Sequence, residues 1–280
     1  MRELWQLRHR PLSAFLRACV LLAAGATMLV FIVLVGYVLV KGIPNLDSGL
    51  FEWEYNSQNA SLVPALVNTV LVTLLSLLIA SPLGIFAAIY MTEYARRDNA
   101  LMKLVRLAAE TLAGIPSIVY GLFGMLLFVV ALKWGYSLAA GAFTMAVMIL
   151  PIIMRTTEEA LMSVPDSYRE GSFGLGAGRL RTVFAIVLPP ASPGILAGII
   201  LATGRVVGET AALIFTAGTV ARIPVSLTSS VRTLSVHMYN LSSEGLHIKQ
   251  AYATAVVLLL LVIAVNALSG ALAGRISGRG

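Results

Sequence analysis

Six long apolar stretches, separated by polar segments, dominate the pattern of hydrophobic and polar positions along this chain. Each stretch has about 20 residues or more, the length that an α-helix needs to cross the hydrocarbon core of a bilayer. The pattern therefore predicts an all-α, polytopic integral membrane protein with six transmembrane helices. The expected spans are residues 12–40, 63–90, 104–132, 137–157, 191–218 and 251–272.

Composition leads to the same class. The 280 residues are 58% hydrophobic and only 12% charged, with a mean hydropathy of +0.88, which leaves too little polar surface for a soluble protein. A net charge of +7 is also found in proteins that bind nucleic acid. Here, however, the basic residues lie beside the apolar stretches, where the positive-inside rule accounts for them. We therefore expect membrane lipid and no nucleic acid around one transmembrane domain, residues 12–280.

The distribution of Lys and Arg predicts the orientation. Most of the 20 basic residues lie in the segments that share a side with the N-terminus, so residues 1–11, the segment 158–190 and the C-terminus are expected to be cytoplasmic. The first apolar stretch is about twice as long as the core of a signal peptide, so it should remain as a helix. Both termini would then face the cytoplasm.

Cysteine and histidine give no sign of a metal site. The single cysteine, Cys19, excludes an internal disulfide. The three histidines, His9, His237 and His247, lack ligand spacing, so we assign them to solvated faces. No cofactor is expected to bind this chain.

The polar segment 158–190 has a fixed pattern of small, acidic and proline residues. Because it is rich in glycine and arginine, it must leave the bilayer between two spans. Its spacing resembles the "EAA" motif of importer-type ABC permeases, which defines a cytoplasmic helix coupled to an ATPase. Here Gly-Ser replaces Ala-Ala and keeps the residues small. The resemblance assigns ATPase coupling to Glu170, Gly171, Ser172, Gly176, Ile186, Leu188 and Pro189.

A second glycine and proline pattern lies inside the third apolar stretch. Gly114, Pro116 and Ser117 should break or loosen that helix near its middle. Such a break exposes backbone groups that only protein or a water-filled cavity can satisfy, so this segment is expected to line a transport route. An ordinary kink packed against a neighbouring helix is the alternative.

Charged residues inside the apolar stretches indicate an anion route. Arg205 lies near the middle of the fifth stretch, with Glu209 four residues later on the same predicted helix face, where the two can pair. Arg155 lies nearer the cytoplasmic end of the fourth stretch. Two guanidiniums match the geometry of a tetrahedral oxyanion. The alternatives are a purely structural Arg205–Glu209 pair and an Arg155 that snorkels to the interface.

These segments carry a closer resemblance. Residues 114–124, Arg155-Thr156-Thr157-Glu158-Glu159-Ala160-Leu161 and residues 204–218 are similar to the phosphate-specific transport permeases, and in particular to their A-type subunits. The resemblance implies a type I ABC importer permease (MetI-like) fold in a bacterial inner membrane. It also implies a homologous C-type permease, two ATP-binding subunits that hold ATP and Mg, and an extracytoplasmic phosphate-binding protein.

Other functions stay open at this point. A permease for another oxyanion, such as sulfate or molybdate, fits the two arginines equally well. A passive anion channel would not need the coupling motif. A membrane hydrolase or a nucleotide-binding protein would need motifs, such as His-Glu-x-x-His or a P-loop, that the sequence lacks. The chain is therefore expected to be non-catalytic and to move phosphate by ATP-driven alternating access.

Overall fold

A computed structural model describes residues 11–96 and 99–277, and this part of the chain contains helices and no strand. Five helices are long and apolar enough to cross a membrane, and a bent helix pair supplies a sixth span. The all-α prediction is confirmed. His9 and most of the predicted N-terminal segment lie outside the described residues. The helices are α1 Pro11–Gly42, α2 Val63–Tyr94, α3 Ala100–Ala113, α4 Ser117–Ala131, α5 Leu138–Met162, α6 Asp166–Gly174, α7 Arg179–Gly208, α8 Ala211–Ile214, α9 Leu234–Glu244 and α10 Ile248–Ser277.

Helix α5 is the centre of the bundle, with 67% of its most apolar window buried. Small residues bring its neighbours close: a methyl group added at Gly198 of α7 would overlap the Thr156 side chain, and one at Gly84 of α2 would meet Ile153 at 3.0 Å. Lipid is as apolar as the helices, so close backbone approach and dispersion, rather than the hydrophobic effect, hold such a bundle together.

Helix α1 stands apart from this bundle. None of its most apolar window is buried, and it packs mainly on α10. The Tyr37 and Tyr252 hydroxyls lie 3.3 Å apart, and Gly42 lies against the backbone of Tyr252. The rest of the α1 surface is therefore left for lipid or another protein.

The third span is broken where the glycine and proline pattern predicted it. Helix α3 ends at Ala113 and α4 begins at Ser117, with a bend of 105° between them. The break follows from Pro116, which cannot donate a helical hydrogen bond and directs the chain into a new helix. Tyr120 Oη donates to Leu112 O at 2.8 Å, in addition to the Ile115 N–H that this carbonyl accepts at 3.0 Å, so α4 is tied to the end of α3.

The segment between the fourth and fifth spans is shorter than expected. Helix α5 continues to Met162 and α7 already begins at Arg179, so Ile186, Leu188 and Pro189 lie inside a helix and not in a loop over 158–190. A π-helical turn over Thr182–Val187 precedes the prolines. The wider turn accommodates residues that lack an N–H donor, so the helix is not interrupted.

The segment between the fifth and sixth spans contains the helix α9, and one histidine prediction for it is wrong. His237 lies in α9 and is fully buried rather than solvated. Its Nε2 lies 3.3 Å from Ala60 O, its Nδ1 lies 3.4 Å from an Arg232 nitrogen, and its ring meets Tyr55 edge-on. Burial, followed by the charge of Arg232, lowers the pKa of His237 to about 4.

The lowered pKa of His237 predicts that the packing around α9 loses stability in acid. Between pH 6.5 and about 4 the unfolded chain binds a proton at His237 more readily than the folded chain. The stability present at pH 7 should therefore fall by roughly 3 kcal/mol as the pH approaches 4. Thermal unfolding of the purified protein at several pH values measures this. His237→Gln should flatten the fall in stability between pH 6.5 and about 4, and equal slopes for parent and His237→Gln would refute the assignment.

Candidate functional site

Arg205 lies at mid-depth in the bundle. The contact of Gly198 with Thr156 fixes the register of α7 against the antiparallel α5. Arg205 is seven residues beyond Gly198, about 10 Å further along the axis, which brings it level with Ile149 near the middle of α5. The predicted central position of Arg205 within the membrane therefore follows from the packing.

Helix α7 ends three residues after Arg205. The predicted ion pair between Arg205 and Glu209 is not formed. Gly208 is the last helical residue and Glu209 has extended backbone angles, so the two side chains do not share a helix face. The Glu209 carboxylate instead accepts the Ala212 N–H at 3.1 Å and thereby caps α8. The expected helix over 191–218 is accordingly two helices with a break at mid-depth.

The start of α4 lies at nearly the same depth. Gly124 of α4 packs on Thr144 of α5, and Ser117 is seven residues earlier, about 10 Å deeper and level with Pro151. Arg205 interacts electrostatically with Tyr120 in the first turn of α4. Two broken helices and one guanidinium therefore meet at the middle of the bundle.

The face of α7 that carries Arg205 is open in the single chain. Ala197, Leu201, Arg205 and Gly208 are exposed at helical spacing and form one stripe. Within the described residues the guanidinium makes no hydrogen bond or ion pair. An arginine at mid-depth costs about 2.5–3.5 kcal/mol or more in lipid, so this stripe must face protein or water.

A cleft of about 560 Å³ lies on the side of this stripe nearer the start of α7, between α3, α5 and Leu201 of α7. It contains Arg155, which is exposed and bonded to Glu159 at 3.0 Å. Arg106 in the same cleft pairs with Glu158 at 2.6 Å. Glu110 adds a third carboxylate, so each arginine is already neutralised and the cleft has excess negative charge.

The first four residues predicted to couple to an ATPase lie in the short helix α6 and the turn that follows it, and the other three lie in α7. Glu170 and Gly171 are exposed on α6, and Ser172 Oγ lies 2.8 Å from Thr182 Oγ1 at the start of α7. Gly176 has φ +81°, in the left-handed region, with open space around it. The turn therefore needs glycine for its backbone angle and not because the chain itself crowds it.

Sequence reasoning missed the strongest polar contact in this region. Arg169 of α6 donates to Glu93 at 2.7 Å and to the carbonyls of Leu161 and Val164 at 2.9 and 2.8 Å. The hydrogen bond to Glu93 raises the pKa of Arg169 above its ordinary value. Glu93 and Arg169 are 76 positions apart, so no local spacing could reveal them.

The part of the chain that contains these features matches the model of one protein family. Residues 80–278 match the model of the binding-protein-dependent transport system inner membrane component. This chain belongs to that family. The match covers the two broken spans, the cleft and helix α6, so these features all lie within the family domain of this inner-membrane, multi-pass permease.

Two relatives match over most of their length. The chain is 34% identical to the probable ABC transporter permease protein YqgI of Bacillus subtilis, over 80% of this chain and 81% of that protein. It is 36% identical to the phosphate transport system permease protein PstA of Yersinia pestis, over 79% and 76%.

A solved structure shows the same permease fold. A chain from a bacterial ABC transporter involved in the import of the acidic polysaccharide alginate superposes with a TM-score of 0.68, at 16% identity, covering 96% of this permease and 99% of that chain. The predicted ABC importer permease fold is confirmed. Among the described residues of the permease, no group of three or more His, Cys, Asp or Glu side chains could hold a metal ion.

Proposed function

We propose that this permease is the A-type subunit of an ATP-driven importer of inorganic phosphate. The observation that carries the proposal is the exposed Arg205 at mid-depth, beside the breaks of the third and fifth spans. The names of the relatives, which include the phosphate transport system permease PstA, support phosphate as the substrate. The chain performs no bond chemistry itself.

The Arg205 stripe is the surface on which the transport route forms. A homologous C-type permease covers this stripe and encloses a water-filled route between the two subunits. The guanidinium presents a planar fork of donors that matches a tetrahedral oxyanion, which a lysine would bind only as a point charge. Gly114, Pro116 and Ser117 line the same route, because the freed backbone groups at the break need polar neighbours.

Release to the cytoplasm is favoured by the cleft below Arg205. An anion that leaves Arg205 passes Leu201 and enters a cleft where Arg155 is held by Glu159. Phosphate must compete with that carboxylate, so it is held weakly and leaves. Glu209 borders the route at the break, although its carboxylate caps α8.

Helix α6 couples the route to ATP hydrolysis. Helix α6, the turn after it and the start of α7 carry exposed apolar side chains, which is typical of a protein contact. These are Tyr168 and Phe173 in α6, Leu175 in the turn and Leu180 in α7. One of two ATP-binding subunits receives this helix in a groove, and ATP and Mg bind there and not to the permease.

The Lys and Arg distribution supports an orientation with both termini in the cytoplasm. The outer layer around α9 then faces the extracytoplasmic side, where a phosphate-binding protein delivers its ligand. Closure of the ATPase dimer moves α6, and the two permeases alternate between outward and inward access.

Copurification and competition test this proposal. The permease, purified from native membranes, should bring an ATPase and a homologous permease with it. Uptake of labelled phosphate into cells should require the chain and should resist excess sulfate and molybdate. If sulfate or molybdate competes as well as phosphate does, the substrate is another oxyanion; if no ATPase copurifies and uptake needs no ATP, the chain is a passive channel.

A further inference from the structure

The Arg169 guanidinium joins three helices. Its Nε and Nη2 donate to Glu93 at the end of α2. Its Nη2 and Nη1 also donate to the carbonyls of Leu161, in the last turn of α5, and of Val164, just after that helix. Arg169 itself belongs to α6. The side chains of Arg169 and Glu93 are only 16% and 8% exposed, so solvent screens this pair little.

We propose that the Arg169–Glu93 pair is a positioning pair that makes α6 move as one body with α2 and α5. The inference rests on the proposed function of α6 as the helix that contacts the ATPase. Neither residue touches phosphate or ATP in this assignment. The pair acts by carrying the displacement of α6 into the two helices that form the centre of the bundle.

The peptide connections of α6 lead to α5 and α7 and not to α2. On the C-terminal side the turn is held by its own hydrogen bonds, from Gly176 N–H to Phe173 O at 2.9 Å and from Ala177 N–H to Ser172 O at 3.1 Å. The Ser172–Thr182 hydrogen bond links that side to α7. Within the described residues, the hydrogen bonds and the ion pair that connect α6 directly to α2 are those of Arg169 with Glu93.

Arginine is needed at this position for geometric reasons. The guanidinium fork bonds one carboxylate through two nitrogens and two carbonyls through the remaining donors, at distances between 2.7 and 3.2 Å. Lysine would keep the charge but would concentrate its three donors on one atom. The substitution Arg169→Lys therefore loosens the joint while leaving Glu93 with a counter-charge.

The test uses the full complex, purified with its partner subunits and reconstituted in vesicles. We expect Arg169→Lys and Glu93→Gln to assemble and hydrolyse ATP, but to transport at least about fivefold less phosphate per ATP hydrolysed, the lower end of a typical coupling energy. The matched control is Arg96→Gln, because Arg96 lines the same pocket as Arg169 and Glu93 and makes no ion pair among the described residues. Variants and control with equal transport per ATP would overturn the proposal.

A distance measurement separates this proposal from the proposed function. After Cys19→Ser removes the single native cysteine, spin labels are attached at Ser167→Cys in α6 and Leu78→Cys in α2. The distance between the labels should stay constant between nucleotide-free and nucleotide-trapped parent complex, and should change or broaden in Arg169→Lys. A parent distance that shifts as much as that of the variant refutes the joint. A parent complex without phosphate transport refutes the proposed function and leaves this result standing.

Discussion

Arg205→Ala is expected to lower phosphate uptake by about 100-fold, the loss typical of truncating one member of a desolvated charge pair. Among the described residues, Arg205 is the one arginine on the open stripe of α7. It lies at mid-depth and has no carboxylate partner there. Removing it leaves the route with no positive side chain of this subunit where the dielectric is lowest. Uptake of labelled phosphate, normalised to the membrane level of each variant, measures the loss.

Three control variants separate substrate binding from structural effects. Arg205→Lys keeps the charge without the fork and should lie between parent and alanine. Arg155→Ala should lose less than Arg205→Ala, because Glu159 already neutralises Arg155. Glu209→Gln should transport close to the parent rate, since an amide oxygen can still accept the Ala212 N–H. If Glu209→Gln loses as much phosphate uptake as Arg205→Ala, Glu209 and Arg205 interact directly during transport, which the structure does not show.

Gly176→Trp is expected to abolish uptake while the permease remains inserted in the membrane. The residue has φ +81°, which costs a side chain-bearing residue about 1–2 kcal/mol, and the indole would project from the turn beside the coupling helix. The backbone strain changes the angle between α6 and the turn that follows it. The bulk of the indole obstructs a close contact between α6 and a partner protein. Uptake and ATPase activity in the same vesicles, with membrane levels determined alongside, measure the effect.

Alanine variants isolate the backbone angle from the bulk of tryptophan. Gly178 lies two residues away, also in open space, but has φ −74°. Gly176→Ala should therefore reduce uptake, whereas Gly178→Ala should not. Normal uptake by Gly176→Trp removes the coupling role from this turn, and equal behaviour of the two alanine variants removes the argument from its backbone angle.

The sequence alone predicted what depends on local composition. Six apolar stretches identified the spans, and Gly114 with Pro116 located the break of the third one, because hydropathy and proline chemistry act within one helix. Arg205 was placed near the membrane centre by the same reasoning. The EAA-like spacing located α6 and Gly176, since a glycine with positive φ follows a helix end in many proteins.

What the sequence could not predict depends on contacts between distant segments. The Arg205–Glu209 pair was expected from helical spacing, but α7 stops at Gly208, and nothing local distinguishes that glycine from Gly204 inside the helix. His237 was assigned to solvent, yet Ala60 and Arg232 enclose it. The Arg169–Glu93 pair needs the ends of two spans to meet, which tertiary packing alone determines.

ATP-driven phosphate accumulation in vesicles tests the central claim most directly. The permease is reconstituted with the homologous permease, the ATP-binding subunits and the phosphate-binding protein, and labelled phosphate inside the vesicles is measured with and without ATP. The account predicts accumulation against a gradient that requires ATP and the binding protein and that is lost in Arg205→Ala. Phosphate that merely equilibrates, at the same rate with or without ATP, would contradict it.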